Sequence, residues 1–412
     1  MPSSRREFLK DLIAGSSMLA LAPELRAIPL RLGAKQRVAL VGVGRQGRVL
    51  LGEIAKFPDV ELIAICDNDK SRLRAGKRRA RGAAAYASTD EMLAKEKGLD
   101  AIIVATPTHT HREVAEACLQ AEHHVYCESP LEATEEDARA LAAAARASNR
   151  KFQCGMQGRS NPVYTLARSF FRAGAVGKTL ALRAQWHKKT SWRTPAPSPE
   201  LEKARNWKLD EALSLGLLGE MGTQQYDVMH WMTGQYPESV HAQGEVLAYD
   251  DGRKVPDTVS CEMRYPGGVR LHYEASLANS YDGEYELIHG NLGTIKLAWS
   301  HGWMFKEADA PTQGWEVYAN RQQFHNDEGI TLIAGATKLA EQGKLKAGVG
   351  LPHAPVYYAL ADFLESITSD KAIVCSADEG LRAVLVAMAA KKSLVSGKPV
   401  AITREYLSGA GK

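Results

Sequence analysis

Short apolar runs alternate with stretches of helical period from residue 36 to about residue 155. Gln36 to Val43 (QRVALVGV) is nearly continuous in apolar residues and rich in Val, as a strand covered on both faces is. A helical pattern follows through Val49, Leu50, Ile54 and Phe57, then a second apolar run, Val60 to Cys66. The alternation continues with a strand at Ala101 to Ala105, a helix at Arg112 to Ala121 and a strand at His124 to Cys127. A helix at Glu135 to Ala147 and a strand at Lys151 to Gly155 complete it. Strand and helix taking turns at this spacing predict an α/β doubly wound parallel sheet with right-handed crossovers. In such a sheet the ligand sits beyond the carboxyl ends of the strands. Those ends carry Thr106-Pro107-Thr108-His109-Thr110-His111 and Glu128-Ser129-Pro130.

The pattern then changes. Val259 to Tyr265 and Val269 to Ser276 alternate with period two and flank Pro266-Gly267-Gly268, a hairpin signal and an antiparallel feature. Ser191 to Asn206 is Pro-rich and polar and reads as a surface loop. Residues 313 to 346 are polar and glycine-punctuated and define no element. Tyr357 to Ser369 and Ala377 to Ser396 are helical patterns that close the fold by packing back on the sheet.

Ahead of all this, Ser4-Arg5-Arg6-Glu7-Phe8-Leu9-Lys10 precedes a weakly apolar stretch, Leu12 to Ala22, with Ala20-Leu21-Ala22 as a small-x-small cleavage site. This is the form of a twin-arginine export signal, and it predicts a periplasmic protein handled by the twin-arginine machinery, folded before export. Gly15, Ser16 and Ser17 make the run too wet and too short to span a bilayer, which takes ~20 apolar residues, so no stable membrane anchor is expected. The rest is of globular composition, 45% hydrophobic and 24% charged. A net charge of +4 over 412 residues gives no case for nucleic acid. The six cysteines show no C-x-x-C spacing and read as buried thiols, and no metal site is expected.

The first strand ends in Gly42-Val43-Gly44-Arg45-Gln46-Gly47. The first glycine permits a tight turn, the second lets backbone approach a pyrophosphate, and the third lets helix and strand pack closely. The second strand stops at Asp67, about 20 residues on, where a carboxylate accepts hydrogen bonds from the adenosine ribose and repels a 2′-phosphate. NAD is therefore the expected cofactor. The basic stretch Lys70, Arg72, Arg74, Lys77, Arg78, Arg79 and Arg81 keeps NADP open, although most of it reads as one solvated helix face.

The run VATPTHTHREVAEACLQAEHHVYCESPLEATEEDARAL, Val104 to Leu141, resembles the most recognisable segment of the glucose-fructose oxidoreductase, inositol dehydrogenase and rhizopine-catabolism (Gfo/Idh/MocA) family. The resemblance continues through Gln157 and Arg159, through Gly219 to Asp227 (GEMGTQQYD) and through Gly290-Asn291-Leu292-Gly293-Thr294. It implies a nicotinamide-binding Rossmann domain and a second domain with a large open mixed, mostly antiparallel sheet. A sugar or polyol site between the two is implied as well, as is a homo-oligomer formed through the open sheet face. The expected organisation is signal and linker at 1–33, Rossmann domain at 34–157, substrate domain at 158–352 and closing helices at 353–412. Thr106, Pro107, His109, Glu128 and Gln157 then face the cofactor with the glycine loop, and His111 packs near the nicotinamide.

Two departures bear on mechanism. The family's Glu-Lys-Pro lysine falls on Ser129. Its D-x-G-x-H-x-x-D motif falls on Glu220 to Asp227, so the His becomes Gln224, the first Asp becomes Glu220, and Asp227 alone matches. Neither Ser nor Gln exchanges a proton near neutral pH. His109, His111, His187, Tyr226 and His230 are the groups that could take the role over. All seven tryptophans lie in the second half and suit a saccharide's C–H faces, with Trp192 and Trp207 favoured because they lie in or beside the Ser191 to Asn206 loop; Arg193 and Arg205 in that loop are further donors. The leading expectation is an NAD(P)-dependent oxidoreductase acting on a sugar, polyol or sugar derivative. The alternatives are an NAD-dependent glycosidase working by transient oxidation and a sugar-binding protein that keeps the cofactor without turnover.

Overall fold

The structure, a computed structural model, describes residues 34–312, 316, 320–324, 327–336, 339 and 348–408. The export-signal reading at 1–33 and Trp315 lie outside the described residues. Six strands form the first sheet: β1 (Gln36–Val41), β2 (Val60–Cys66), β3 (Ala84–Tyr86), β4 (Ala101–Val104), β5 (His124–Glu128) and β6 (Phe152–Gly155). Their order is β3-β2-β1-β4-β5-β6 and every pairing is parallel. Chain direction across the sheet reverses between β1 and β4, which opens a crevice at their carboxyl ends. β3 and the helix Thr89–Lys95 go beyond the sequence expectation. A three-residue Ala-Ala-Tyr strand is too short to carry a period.

The second sheet has ten strands: β7 (Thr179–His187), β8 (Ser239–Glu245), β9 (Thr258–Arg264), β10 (Arg270–Ser276), β11 (Glu284–Gly290), β12 (Gly293–Ala298), β13 (His301–Lys306), β14 (Arg321–Gln323), β15 (Glu328–Thr331) and β16 (Val400–Ala401). The order is β14-β15-β13-β12-β11-β7-β10-β9-β8-β16. β7 and β10 run parallel and the other pairings are antiparallel. One face is buried. In β10, Leu271, Tyr273 and Ala275 point into the core, while Arg270, His272 and Glu274 are exposed on the open face.

The closing helices divide their work. Pro355–Thr368 places Tyr357, Leu360, Phe363 and Leu364 against Val38, Leu40, Ile103 and Tyr126 of the first sheet. Two glutamines inside otherwise apolar strands are satisfied by it: Gln36 donates to the Leu364 carbonyl (2.8 Å) and Gln153 to that of Ala359 (2.9 Å). The helix Ala377–Ser396 starts in a Ser376/Glu379 capping box, stops at Gly397 in the left-handed region, and packs against β8 and the helices Glu135–Ala147 and Gly222–Thr233. The two domains thus share a core. All six cysteines are free and buried. Among the described residues there is no cluster of metal-ligating side chains and no helix long and apolar enough to cross a membrane.

Candidate functional site

A cavity of about 920 Å³ lies between the carboxyl ends of the first sheet and the second domain. Its three loop glycines do different work. A Cβ on Gly42, whose φ is +93°, would stand 2.4 Å from the Ala105 carbonyl oxygen, and one on Gly47 would stand 1.9 Å from that of Gly42. Both positions are closed by backbone. Gly44 faces the cavity, and a Cβ there would meet only Arg72 Nη1, at 3.9 Å. Arg45 and Gln46 line the cavity beside it, at the start of the helix Arg45–Ile54.

Asp67, at the end of β2, also lines the cavity and is 8% exposed. It accepts the Val43 N–H on Oδ2 and the Asp69 N–H on Oδ1, each at 2.8 Å, so the carboxylate fixes the glycine loop as well as facing the ribose position. Burial raises its pKa, against those two N–H donors. Of the basic stretch at 70–81, Arg72 alone reaches the cavity. Asp67→Ala is expected to lower the NAD/NADP affinity ratio by about tenfold or more, because the repulsion of a 2′-phosphate goes with the carboxylate. The ratio, from calorimetric titrations of each nucleotide, discounts the general loss from a loosened loop; an unaltered ratio would assign the choice to Arg72.

At the ends of β4 and β5, Thr106, Pro107, Thr108, His109, Thr110 and His111 line the cavity with Glu128 and Ser129. His111 is buried, with Nδ1 against the carbonyls of Pro130 (3.0 Å) and Leu131 (3.3 Å) and Nε2 against that of Thr106 (3.0 Å). Burial takes its pKa down to about 4, against those carbonyls, so it is a brace between two strand ends and not a proton carrier near neutral pH. Glu128 accepts a hydrogen bond from Gln46 (3.0 Å), and burial pushes its carboxyl up to about 7. Thr106 Oγ1, His109 Nδ1 and Ser129 Oγ are buried without a partner at the cavity wall. Burial also lowers the His109 pKa, and its ring meets Trp207 edge-on at 5.5 Å.

Across the cavity, Gln224 donates to the Gly155 carbonyl (2.8 Å) and accepts the Gln157 N–H (3.2 Å), which ties the second domain to the end of β6. Glu220 lines the same wall and accepts from Thr108 Oγ1 (3.1 Å) and Leu215 N–H (3.3 Å), with Lys208 Nζ at 3.7 Å. Burial raises its pKa and Lys208 opposes the rise.

Three expected catalytic residues are placed elsewhere. Asp227 is 2% exposed and is gripped in a two-point ion pair by Arg159, at 2.8 Å on each oxygen. Tyr226 is 2% exposed, with its hydroxyl on Cys261 Sγ (3.7 Å) and its ring against Tyr273. His187 ends β7 with its backbone bonded to Gly283 and does not line the cavity. The reasons for the first two differ: Gly222–Thr233 turns ~100° per residue, so Tyr226 lies on the side opposite Gln224, whereas Asp227, at i+3, shares Gln224's side one turn further on and is drawn off by Arg159. His230 stacks on Tyr236 outside the cavity, and Arg193 is held by Asp251 and Glu202.

Other residues fill the wall. Trp186, Trp299, Lys188, Lys208 and Glu284 join Trp192 and Trp207 there. Trp186 and Glu284 are directly paired across β7 and β11, and Lys188 follows Trp186 by two positions. Burial holds the Glu284 carboxyl well above its usual range, with Glu286 adding to the rise and Trp299 and Lys188 opposing it. Lys208 Nζ lies 5.0 Å from the Trp192 ring centre and 5.3 Å from that of Trp207.

A glycine left bare toward a long cleft, with unpartnered hydroxyl and imidazole groups at the strand ends beyond it, fits a dinucleotide laid across the switch point. The far end of that cleft is walled by tryptophans from another domain, so the molecule is built as a nicotinamide-dependent oxidoreductase. Comparison with known proteins gives its kind. A model described as the oxidoreductase family, NAD-binding Rossmann fold (GFO_IDH_MocA), matches residues 36–156, and the GFO/IDH/MocA C-terminal domain matches residues 164–296. The chain belongs to the Gfo/Idh/MocA family, and its first domain is an NAD-binding domain. It is 25% identical over 364 residues to a myo-inositol 2-dehydrogenase of Thermotoga maritima, covering 88% of this chain and 98% of that one. It is 35% identical over 136 residues to a glycosyl hydrolase family 109 protein of Stenotrophomonas maltophilia, covering 30% of this chain and 29% of that one. Its fold matches a levoglucosan dehydrogenase in complex with NADH and levoglucosan, with a TM-score of 0.71 at 20% identity over 90% of this chain and all of that one (100%).

Proposed function

We propose that this chain is exported to the periplasm by the twin-arginine pathway and there oxidises a saccharide or sugar derivative with NAD. The observation that carries the proposal is that one continuous cavity runs from Gly44 and Asp67 to a wall containing Trp186, Trp192, Trp207 and Trp299. The nicotinamide supplies hydride chemistry when bound. Gly44 leaves room for the pyrophosphate, Asp67 takes the ribose hydroxyls, and the Trp faces orient the sugar ring and exclude water. Neither a serine nor a glutamine side chain exchanges a proton as an acid or base near neutral pH, so proton transfer falls to ionisable groups on the cavity wall, among them His109, Glu128, Lys188, Lys208, Glu220 and Glu284. Arg5-Arg6 ahead of a short apolar run supports export.

The glycosidase reading is favoured by the stretch shared with the family 109 protein and by export, which separates the chain from cytoplasmic NAD. The test is to express the full chain, recover it from the periplasmic fraction, and follow nicotinamide absorbance with myo-inositol, levoglucosan and a panel of glycosides. Wild-type turnover is expected, and Ser129→Lys with Gln224→His should cut it about tenfold or more by placing two charged-capable side chains in the space the sugar uses. If only the double variant turns over, the chain is a cofactor-retaining binder. Recovery from the cytoplasm alone would refute export.

A further inference from the structure

We propose that Arg205 clasps the second domain over the adenosine end of the cleft and sets the rate at which the dinucleotide leaves. This rests on the assignment of the cavity to NAD. Residues 191–210 leave the second sheet after β7 and cross to the first domain, and Thr194, Leu201, Arg205 and Trp207 from this strap line the same cavity as Gly44 and Asp67. A helix, Pro199–Arg205, forms within what the sequence reads as loop, with Pro199 at its start and Lys203 and Arg205 in its last turn.

Arg205 ends that helix with its guanidinium on the first domain. Nε donates to Asp69 Oδ2 at 2.8 Å, Nη2 lies 2.7 Å from the same oxygen, and Nη2 donates to Ser71 Oγ at 2.6 Å. Nη1 donates back to the Pro195 carbonyl (3.0 Å), which stiffens the strap. The side chains of Arg205 and Asp69 are 13% and 7% exposed, so water screens the pair only weakly. Asp69 is in turn coupled to the ribose-facing carboxylate, since its N–H donates to Asp67 Oδ1 (2.8 Å).

The strap holds its own shape. Asn206, 6% exposed, accepts the Thr194 N–H (2.6 Å) and donates to the Thr194 carbonyl (3.0 Å), which closes the loop behind Arg205. At its other end Trp207 rests against His109 of the first domain. A charged fork presented by a closed loop is preorganised, and its bonds must break before the strap can lift. Burial alone would raise the Asp69 pKa, but the Ser71 hydroxyl, Arg205 and the Ser71 and Arg72 N–H groups outweigh it and hold the carboxyl well below its usual range. The clasp therefore stays charged at any working pH. A cofactor kept under it remains in place between successive hydride transfers.

The full chain is loaded with NADH and chased with excess NAD, with nicotinamide fluorescence followed by stopped flow. Arg205→Ala is expected to release NADH about ten to a hundred times faster with little change in association rate, because losing one partner of a buried charged pair acts on dissociation. Arg205→Lys, which keeps the charge without the fork, should fall between, and it tests the clasp should the Ala variant fold poorly. Lys203→Ala, on the exposed side of the strap, should release at the wild-type rate. Wild-type release from the Arg205 variants overturns the clasp. Failure of the wild type to take up NADH overturns the dinucleotide assignment itself.

Discussion

Gly44→Val is expected to fold like the wild type and to lose NADH affinity by at least about a hundredfold. The backbone at Gly44 is extended (φ −65°, ψ −153°), and a Cβ there meets nothing nearer than a mobile arginine tip at 3.9 Å, so the apoprotein has space for a side chain. That space is the one the pyrophosphate needs. Losing backbone approach and the N–H contacts it brings is worth about 3 kcal/mol or more, a hundredfold in affinity. The flanking glycines behave in the opposite way. Gly42→Val and Gly47→Val drive a Cβ to 2.4 and 1.9 Å from carbonyl oxygens and strain the turn itself, so they lower the unfolding temperature before binding can be asked about. Calorimetric titration with NADH beside thermal unfolding separates the two classes. Wild-type affinity in Gly44→Val would show that this loop does not carry the cofactor.

The same contrast explains what the sequence could reveal. The glycine loop, Asp67 and the strand-end turns are legible because the chemistry of a phosphate site is local: spacing, chain direction and a carboxylate ~20 residues on are all written in one segment. The second wall of the cavity is not local. Lys188, Lys208 and Glu284 come from a strand end, a strap and a second strand, and only the β7–β11 pairing brings Glu284 to Trp186. No spacing between residues so far apart marks them as neighbours.

Two signals were available and point inward from the fold. Gln36 and Gln153 sit in apolar strands and require partners from outside the sheet, which the helix Pro355–Thr368 supplies through its carbonyls. Within the GEMGTQQYD run helical geometry places Tyr226 opposite Gln224 and so in the core, whereas Asp227, at i+3, shares Gln224's side and is kept from the cavity by Arg159. A matched residue type at Asp227 is weaker evidence than the buried partner that grips it.

Asp227 is consequently a test of structure against chemistry. Arg159 grips both of its oxygens, and the same guanidinium reaches Glu379 and the Val374 carbonyl, so one cation at the end of the first domain holds the helix Gly222–Thr233 and the start of the helix Ala377–Ser396 together. The Arg159 and Asp227 side chains are 3% and 2% exposed. Arg159→Ala leaves a carboxylate buried without its partner and is expected to lower the unfolding free energy by about 3–5 kcal/mol, and Asp227→Ala should cost a comparable amount on the other side. Replacing both at once by apolar residues of similar volume, Arg159→Met with Asp227→Leu, should recover much of the loss, because the pair's desolvation cost disappears with its attraction. Urea unfolding of the four proteins ranks them. The outcome that would restore Asp227 to the catalytic set is an Asp227→Ala protein of wild-type stability that binds NADH normally and has lost turnover, since a residue that acts only through the fold would lose stability with activity.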